Sequence, residues 1–115
     1  MMTKTEIIQI GEQAVNEEPL LILFGESVTP ELAIHSIVQR KIDAQPFDLK
    51  VGSEIRFGEQ KYQVTALGGL ANQNLNEIGH ATLFFKKSEN ESANGVYLEP
   101  EVVPTVEAGM EISFL

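Results

Sequence analysis

Residues 54–67 read EIRFGEQKYQVTAL and form the clearest β-hairpin pattern in the chain. Apolar and polar residues alternate on both sides of a turn placed at Gly58–Lys61. The apolar positions are Ile55, Phe57, Tyr62, Val64 and Ala66. The stretch therefore predicts two antiparallel strands, each with one face toward a core.

Short strand patterns broken by Gly, Pro and Asn turns continue on both sides of this hairpin. They cover Glu6–Ile10, Pro19–Phe24, Ser36–Ile42, His80–Phe85, Val96–Leu98 and Glu111–Phe114. Helical turns are expected after Thr29-Pro30 and over Leu70–Ile78, which Gly79 can terminate. About seven short strands with one or two helical turns predict a mainly β fold, a small closed or partly open barrel. So small a barrel has to hide its strand edges by closure or by exchanging strands between two chains, which would make a homodimer.

A short internal sequence repeat is consistent with the barrel. Residues 52–57 (GSEIRF) and 109–114 (GMEISF) share the pattern G-x-E-I-x-F. The repeat reflects either the duplication of a half-barrel or a sequence that is common where a glycine turn leads into a strand. Both interpretations make barrel strands of the two segments.

Length and composition limit the number of domains, the classes of partner and the cellular location. The chain has 115 residues, enough for one domain over residues 1–115, with 43% hydrophobic and 22% charged residues. Its 8 basic and 17 acidic residues give a net charge of −9, which disfavours nucleic acid or an anionic membrane surface as partner. This charge either favours a partner with a basic face or simply keeps the protein soluble. There is no cysteine, no signal-peptide pattern and no membrane-length apolar run, so a cytoplasmic location is predicted.

General catalytic motifs are missing, which leaves the two histidines as candidates for chemistry. His80 lies between Gly79 and a predicted strand in the order Gly79-His80-Ala81-Thr82. If Ala81 faces the core, His80 and Thr82 share the opposite face, where the Thr82 hydroxyl could steady the ring or a phosphoryl oxygen. Gly79 is expected to leave room for a partner's phosphate. The alternative is a histidine that only packs at a strand end.

His35 follows the Pro30 turn, where a helix would bring Glu31 and Gln39 alongside it. A metal site built from His35, His80 and carboxylates has no support from spacing, so no metal is predicted.

Two longer segments carry a family resemblance. Residues 58–68 (GEQKYQVTALG) and 71–85 (ANQNLNEIGHATLFF) resemble the glucitol/sorbitol-specific IIA component of the bacterial sugar phosphotransferase system. Ile7–Gly11, Val103-Pro104 and Gly109–Phe114 are similar to that family too. The resemblance covers nearly the whole chain.

The resemblance implies a cytoplasmic phosphocarrier with a phosphohistidine intermediate and no organic cofactor. Such a carrier takes a phosphoryl group from the phosphorylated general histidine carrier protein. It passes the group to the IIB part of a IIB/IIC permease at the membrane, and the permease transfers it to incoming glucitol.

One departure from the family pattern bears on the site. The resemblance implies a phosphoacceptor histidine in the segment after the Pro turn, within a pattern like F-I-H-x-H. Alignment through Pro30 and Gly52 puts Gln39–Ile42 in that segment, so that Arg40 stands at the histidine and His35 does not match. His80 matches the histidine of the family's G-H-x-T strand and is predicted to be the phosphoacceptor. Arg40, Lys41 and Thr82 are then candidates for binding phosphate. The alternative is a non-catalytic relative that acts as a regulatory or binding module.

Overall fold

A computed structural model describes residues 3–43, 45–88 and 90–115 of the chain. These residues form eight strands and two helices. In chain order they are β1 (Thr3–Ile10), β2 (Leu20–Phe24), α1 (Pro30–Ala33), β3 (Ile37–Lys41), β4 (Glu54–Phe57), β5 (Gln60–Leu67), α2 (Ala71–Ile78), β6 (Ala81–Phe84), β7 (Gly95–Glu99) and β8 (Glu111–Phe114).

The strands close into one barrel in the order β1-β3-β2-β6-β7-β5-β4-β8. β8 pairs with β1 and completes the ring within one chain. Every strand thus has two neighbours, which removes the exposed edges that would otherwise invite pairing with another molecule. The predicted mainly β barrel is confirmed, with eight strands where about seven were expected.

Two strand pairs are parallel, β2 with β3 and β6 with β7, and all other pairs are antiparallel. The first parallel pair needs a crossover, which α1 supplies. Thr29 caps α1 by accepting a hydrogen bond from the Leu32 N–H, with Pro30 as the first helical residue, as the sequence predicts. β3 begins one residue later than predicted because Ser36 still belongs to this turn, its hydroxyl donating to the Leu32 oxygen at 2.6 Å.

The two copies of G-x-E-I-x-F lie side by side as β4 and β8. Ile55 pairs with Phe114 and Phe57 with Ile112, so the Ile of each copy faces the Phe of the other. Gly52 and Gly109 precede the two strands with φ of 97° and 93°. This region has local twofold symmetry, and both interpretations of the repeat fit it.

The barrel encloses one core, which is mainly aliphatic. Part of the core is an aromatic cluster, in which the rings of Tyr62 and Phe85 pack edge to face with their centroids 5.0 Å apart. Among the described residues no helix is long and apolar enough to cross a bilayer.

Candidate functional site

The end of α2 positions His80. Gly79 takes the left-handed conformation (φ 67°) and its N–H donates to the Leu75 oxygen at 3.0 Å. The His80 N–H then donates to the Asn74 oxygen at 3.2 Å, which satisfies a second carbonyl of the last helical turn. The predicted helix stop at Gly79 is confirmed. The chain reverses there, so that His80 comes immediately before β6.

Close packing of two backbone segments requires glycine at position 79. A Cβ on Gly79 would lie 2.8 Å from the Cα and N of Gly25. The Gly25 N–H donates to the Ile78 oxygen at 2.9 Å, so the two backbones pack directly against each other. In the direction that a Cβ would take, the space beside Gly79 is therefore filled by the backbone of Gly25.

The ring of His80 is held by two contacts from β2. Its Nδ1 atom lies 3.0 Å from the backbone oxygen of Leu23. Its ring stacks on Phe24, with centroids 4.3 Å apart and planes inclined by 26°. A carbonyl oxygen only accepts hydrogen bonds, so Nδ1 must carry the hydrogen. In the neutral ring the lone pair is then on Nε2, and no hydrogen bond to Nε2 occurs among the described residues.

Thr82 follows His80 on the outer side of β6. Ala81, Leu83 and Phe85 are buried, whereas Thr82 is half-buried, which confirms the predicted alternation. The Thr82 N–H donates to the Asn94 oxygen at 3.1 Å. Within the described residues no hydrogen bond joins the Thr82 hydroxyl to His80.

Arg40 and Lys41 lie at the end of β3, and each has a partner of its own. The Arg40 guanidinium is 2.6 Å from a carboxylate oxygen of Glu6, its cross-strand neighbour. The Lys41 amino group lies over the Phe47 ring, 5.3 Å from its centroid. Both residues line a cavity of about 180 Å³ that Gly79 also lines. The fold thus brings β3 and the segment before His80 to one cavity, although the two cations are already engaged.

Gln39 joins β3 to the segment that carries His80, and no sequence pattern singles it out. Its side chain is buried, with 3% exposed. The Nε2 group donates to the Gly79 oxygen at 3.1 Å, and Oε1 accepts from the Thr5 hydroxyl at 2.7 Å. The only hint in the sequence is a polar residue at a position where strand alternation calls for an interior side chain.

His35 lies apart from this arrangement. It sits in the turn after α1, its N–H donates to the Leu32 oxygen, and its side chain is exposed. Between residues 3–43, 45–88 and 90–115, no hydrogen bond or ring contact joins His35 to His80. Nor does that part of the chain hold three or more His, Cys, Asp or Glu side chains in an arrangement that could bind a metal ion.

Comparison with known proteins gives consistent matches. The family model described as "PTS system glucitol/sorbitol-specific IIA component" matches residues 2–113. Proteins of Escherichia coli (strain K12) and Shigella flexneri, both named "PTS system glucitol/sorbitol-specific EIIA component", are each 29% identical over 114 residues, 96% of this chain and 92% of theirs. The crystal structure of the PTS system IIA component from Enterococcus faecalis V583 superposes with a TM-score of 0.92 at 32% identity, covering 97% of this chain and 98% of that one.

Proposed function

Because the chain belongs to the family of glucitol/sorbitol-specific IIA components of the phosphotransferase system, we propose that it is a phosphocarrier whose phosphoacceptor is His80. The observation that carries this proposal is the hydrogen bond from His80 Nδ1 to the Leu23 oxygen. It leaves the ring one nucleophilic atom, Nε2, with its lone pair directed away from the strand that holds the ring.

The transfer needs no further reactant. The Nε2 lone pair of His80 attacks the phosphorus of a phosphohistidine on the donor protein, in line with the donor's P–N bond. As the new P–N bond forms, the old one breaks, and its electron pair returns to the donor's ring nitrogen. In the next transfer the roles reverse, with phospho-His80 as the donor and the downstream acceptor as the nucleophile.

The contacts of His80 serve this step by fixing the ring in advance. Stacking on Phe24 and the bond to Leu23 restrict rotation about both side-chain torsions, which lowers the entropic cost of bringing two imidazoles into line. The ring is half-buried, so one part of it stays open to a partner.

Thr82, Arg40 and Lys41 are the groups that we propose to steady the transferred phosphoryl group. Thr82 offers a hydroxyl on the face of β6 that alternation assigns to His80 as well. Arg40 and Lys41 offer positive charge from the cavity beside Gly79. Arg40 would have to exchange its contact with Glu6 for one with the phosphoryl oxygens.

The partners follow from the proposed place in the transfer sequence. The donor is the phosphorylated general histidine carrier protein in the cytoplasm, and the acceptor is the IIB part of a glucitol/sorbitol permease. The net charge of −9 favours partners that present a basic face, mostly by raising the rate of encounter.

The test is phosphoryl transfer from radiolabelled phosphoenolpyruvate, through the general phosphotransferase proteins, to wild type, His80→Ala and His35→Ala. Acid-labile label on wild type and His35→Ala, but not on a folded His80→Ala, is the expected result. Loss of label only in His35→Ala would move the site to that residue. Absence of label from all three would instead indicate the non-catalytic relative, a binding or regulatory module that retains the family fold.

A further inference from the structure

We propose that Gln39 is a positioning residue for His80, acting through the peptide group that joins Gly79 to His80. This inference rests on the proposed role of His80 as phosphoacceptor. It concerns how the fold keeps that ring in a single reactive form.

The amide of Gln39 can take only one orientation in its surroundings. Gln39 pairs with Ile7 in the β1–β3 ladder and its side chain is buried. The Gly79 oxygen can only accept, so the NH₂ group must face Gly79, at 3.1 Å. The carbonyl end of the amide then meets the Thr5 hydroxyl at 2.7 Å. Neither polar end of this buried amide lacks a partner.

The bond from Gln39 completes the restraint on one peptide group. The Gly79 oxygen and the His80 N–H belong to the same planar unit. Gln39 binds the oxygen at 3.1 Å, and the Asn74 oxygen accepts from the N–H at 3.2 Å. A peptide plane held at both ends cannot rotate, so it fixes the position of the His80 Cα atom. On the other side of His80, Ala81 is paired with Leu23 in the β2–β6 ladder. Together the two restraints set the direction of the His80 Cα–Cβ bond before the side chain makes any contact.

The direction of that bond decides which ring tautomer is stable. Nδ1 reaches the Leu23 oxygen at 3.0 Å only if the Cβ atom is correctly placed. Without the Gln39 bond, the peptide before His80 could turn toward water or another donor, and the ring would lose its alignment with Leu23. The Nε2–H tautomer, which has no lone pair on Nε2 and cannot attack phosphorus from that atom, would then become populated.

Gln39→Met removes the donor to Gly79 while nearly keeping the side-chain volume. Thr5→Val is the matched control, since it removes the other hydrogen bond of the same amide and leaves the bond to Gly79 in place. Gln39→Met leaves the Gly79 oxygen and the Thr5 hydroxyl without this partner, and Thr5→Val leaves only the Gln39 carbonyl oxygen without one, so both variants are expected to lose stability. Only Gln39→Met is expected to affect the His80 ring.

The first measurement is the ¹⁵N chemical shifts of the two His80 ring nitrogens against pH, which needs no phosphoryl transfer. Wild type and Thr5→Val are expected to show the neutral ring protonated at Nδ1, and Gln39→Met a mixture of both tautomers. The second measurement is the rate of labelling by the phosphorylated carrier protein. We expect Gln39→Met to lower the maximal rate on the order of tenfold at unchanged half-saturation, as for a reacting group slightly out of place.

Unchanged ring shifts in Gln39→Met would overturn the proposal, as would the same change in Thr5→Val, which would reduce Gln39 to a packing role. If Gln39→Met does not fold, Gln39→Asn replaces it, because its amide is one methylene too short to bridge Thr5 and Gly79. If wild type takes no label at all, the proposed function fails, and the ring shifts still decide whether Gln39 positions His80.

Discussion

The Nδ1 atom of His80 lies 3.0 Å from the backbone oxygen of Leu23, a residue 57 positions away in the chain. β2 and β6 pair antiparallel, with Leu23 opposite Ala81. Phe24 follows Leu23 and His80 precedes Ala81, so these two residues lie opposite each other and their rings stack. One strand thus supplies both the acceptor for Nδ1 and the ring beneath the imidazole. This arrangement fixes the orientation of the His80 ring at the start of β6.

The first prediction concerns the atom that is phosphorylated. Because Nδ1 is hydrogen-bonded to the backbone, the phosphoryl group is expected on Nε2 of His80. Correlation of ³¹P with ¹⁵N in uniformly labelled phosphoprotein should show coupling through Nε2. Coupling through Nδ1 would mean that the Leu23 bond breaks before transfer, and the tautomer argument would then be wrong.

The second prediction concerns Gly79. Alanine at this position would have to adopt φ 67° and place its Cβ 2.8 Å from backbone atoms of Gly25. We expect Gly79→Ala to lower the free energy of unfolding by roughly 1–3 kcal/mol or more, measured by urea denaturation. Gly69→Ala is the control, because Gly69 has no left-handed φ and open space around it, so its change should stay within about 0.5 kcal/mol. Equal losses in the two variants would contradict this account.

The third prediction concerns Tyr62 and alkaline pH. Tyr62 is buried and its hydroxyl donates to the Val102 oxygen at 2.5 Å. Burial raises the pKa of this phenol above its usual value of 10.0. Above pH 10.0 the Tyr62 phenol of the unfolded chain loses its proton, while that of the folded chain keeps it. Unfolding then releases a proton, so the free energy of unfolding falls as pH rises toward the pKa of the folded state.

Tyr62→Phe lacks this titration. At neutral pH it is expected to be about 1 kcal/mol less stable than wild type, because it loses the bond to Val102. The difference should shrink as pH rises beyond 10.0, since only wild type loses there the stability that depends on the Tyr62 proton. Denaturant titrations of both proteins at several pH values measure this difference. A difference that is constant with pH would show that Tyr62 does not titrate as described.

The fourth prediction separates a phosphate-binding role of Arg40 from its ion pair. The pair with Glu6 is exposed, so Arg40→Gln should change stability by no more than about 1 kcal/mol. If Arg40 binds the phosphoryl group in transfer, labelling of His80 should slow about tenfold. Lys50→Gln is the matched control, because Lys50 also belongs to an exposed ion pair, with Asp48, and its removal changes net charge equally. Equal slowing in both variants would assign the effect to net charge alone.

The sequence by itself determined the class of fold and the end of α2. Alternation in residues 54–67 depends on nearest neighbours in the chain, and so does the glycine stop at Gly79, because the physical causes of both act within a few residues. The block around His80 was also enough to indicate the family that the comparisons support.

Only the tertiary structure decided what surrounds His80. The acceptor for its Nδ1 is 57 residues away, and Gln39 and Gly79 are 40 residues apart. The contact between Gly79 and Gly25, and the pairing of Arg40 with Glu6, likewise depend on which strands become neighbours when the barrel closes. Hydrogen bonds and backbone contacts of this range leave no local pattern, because any residue of the right size and polarity can make them once the fold has brought it there.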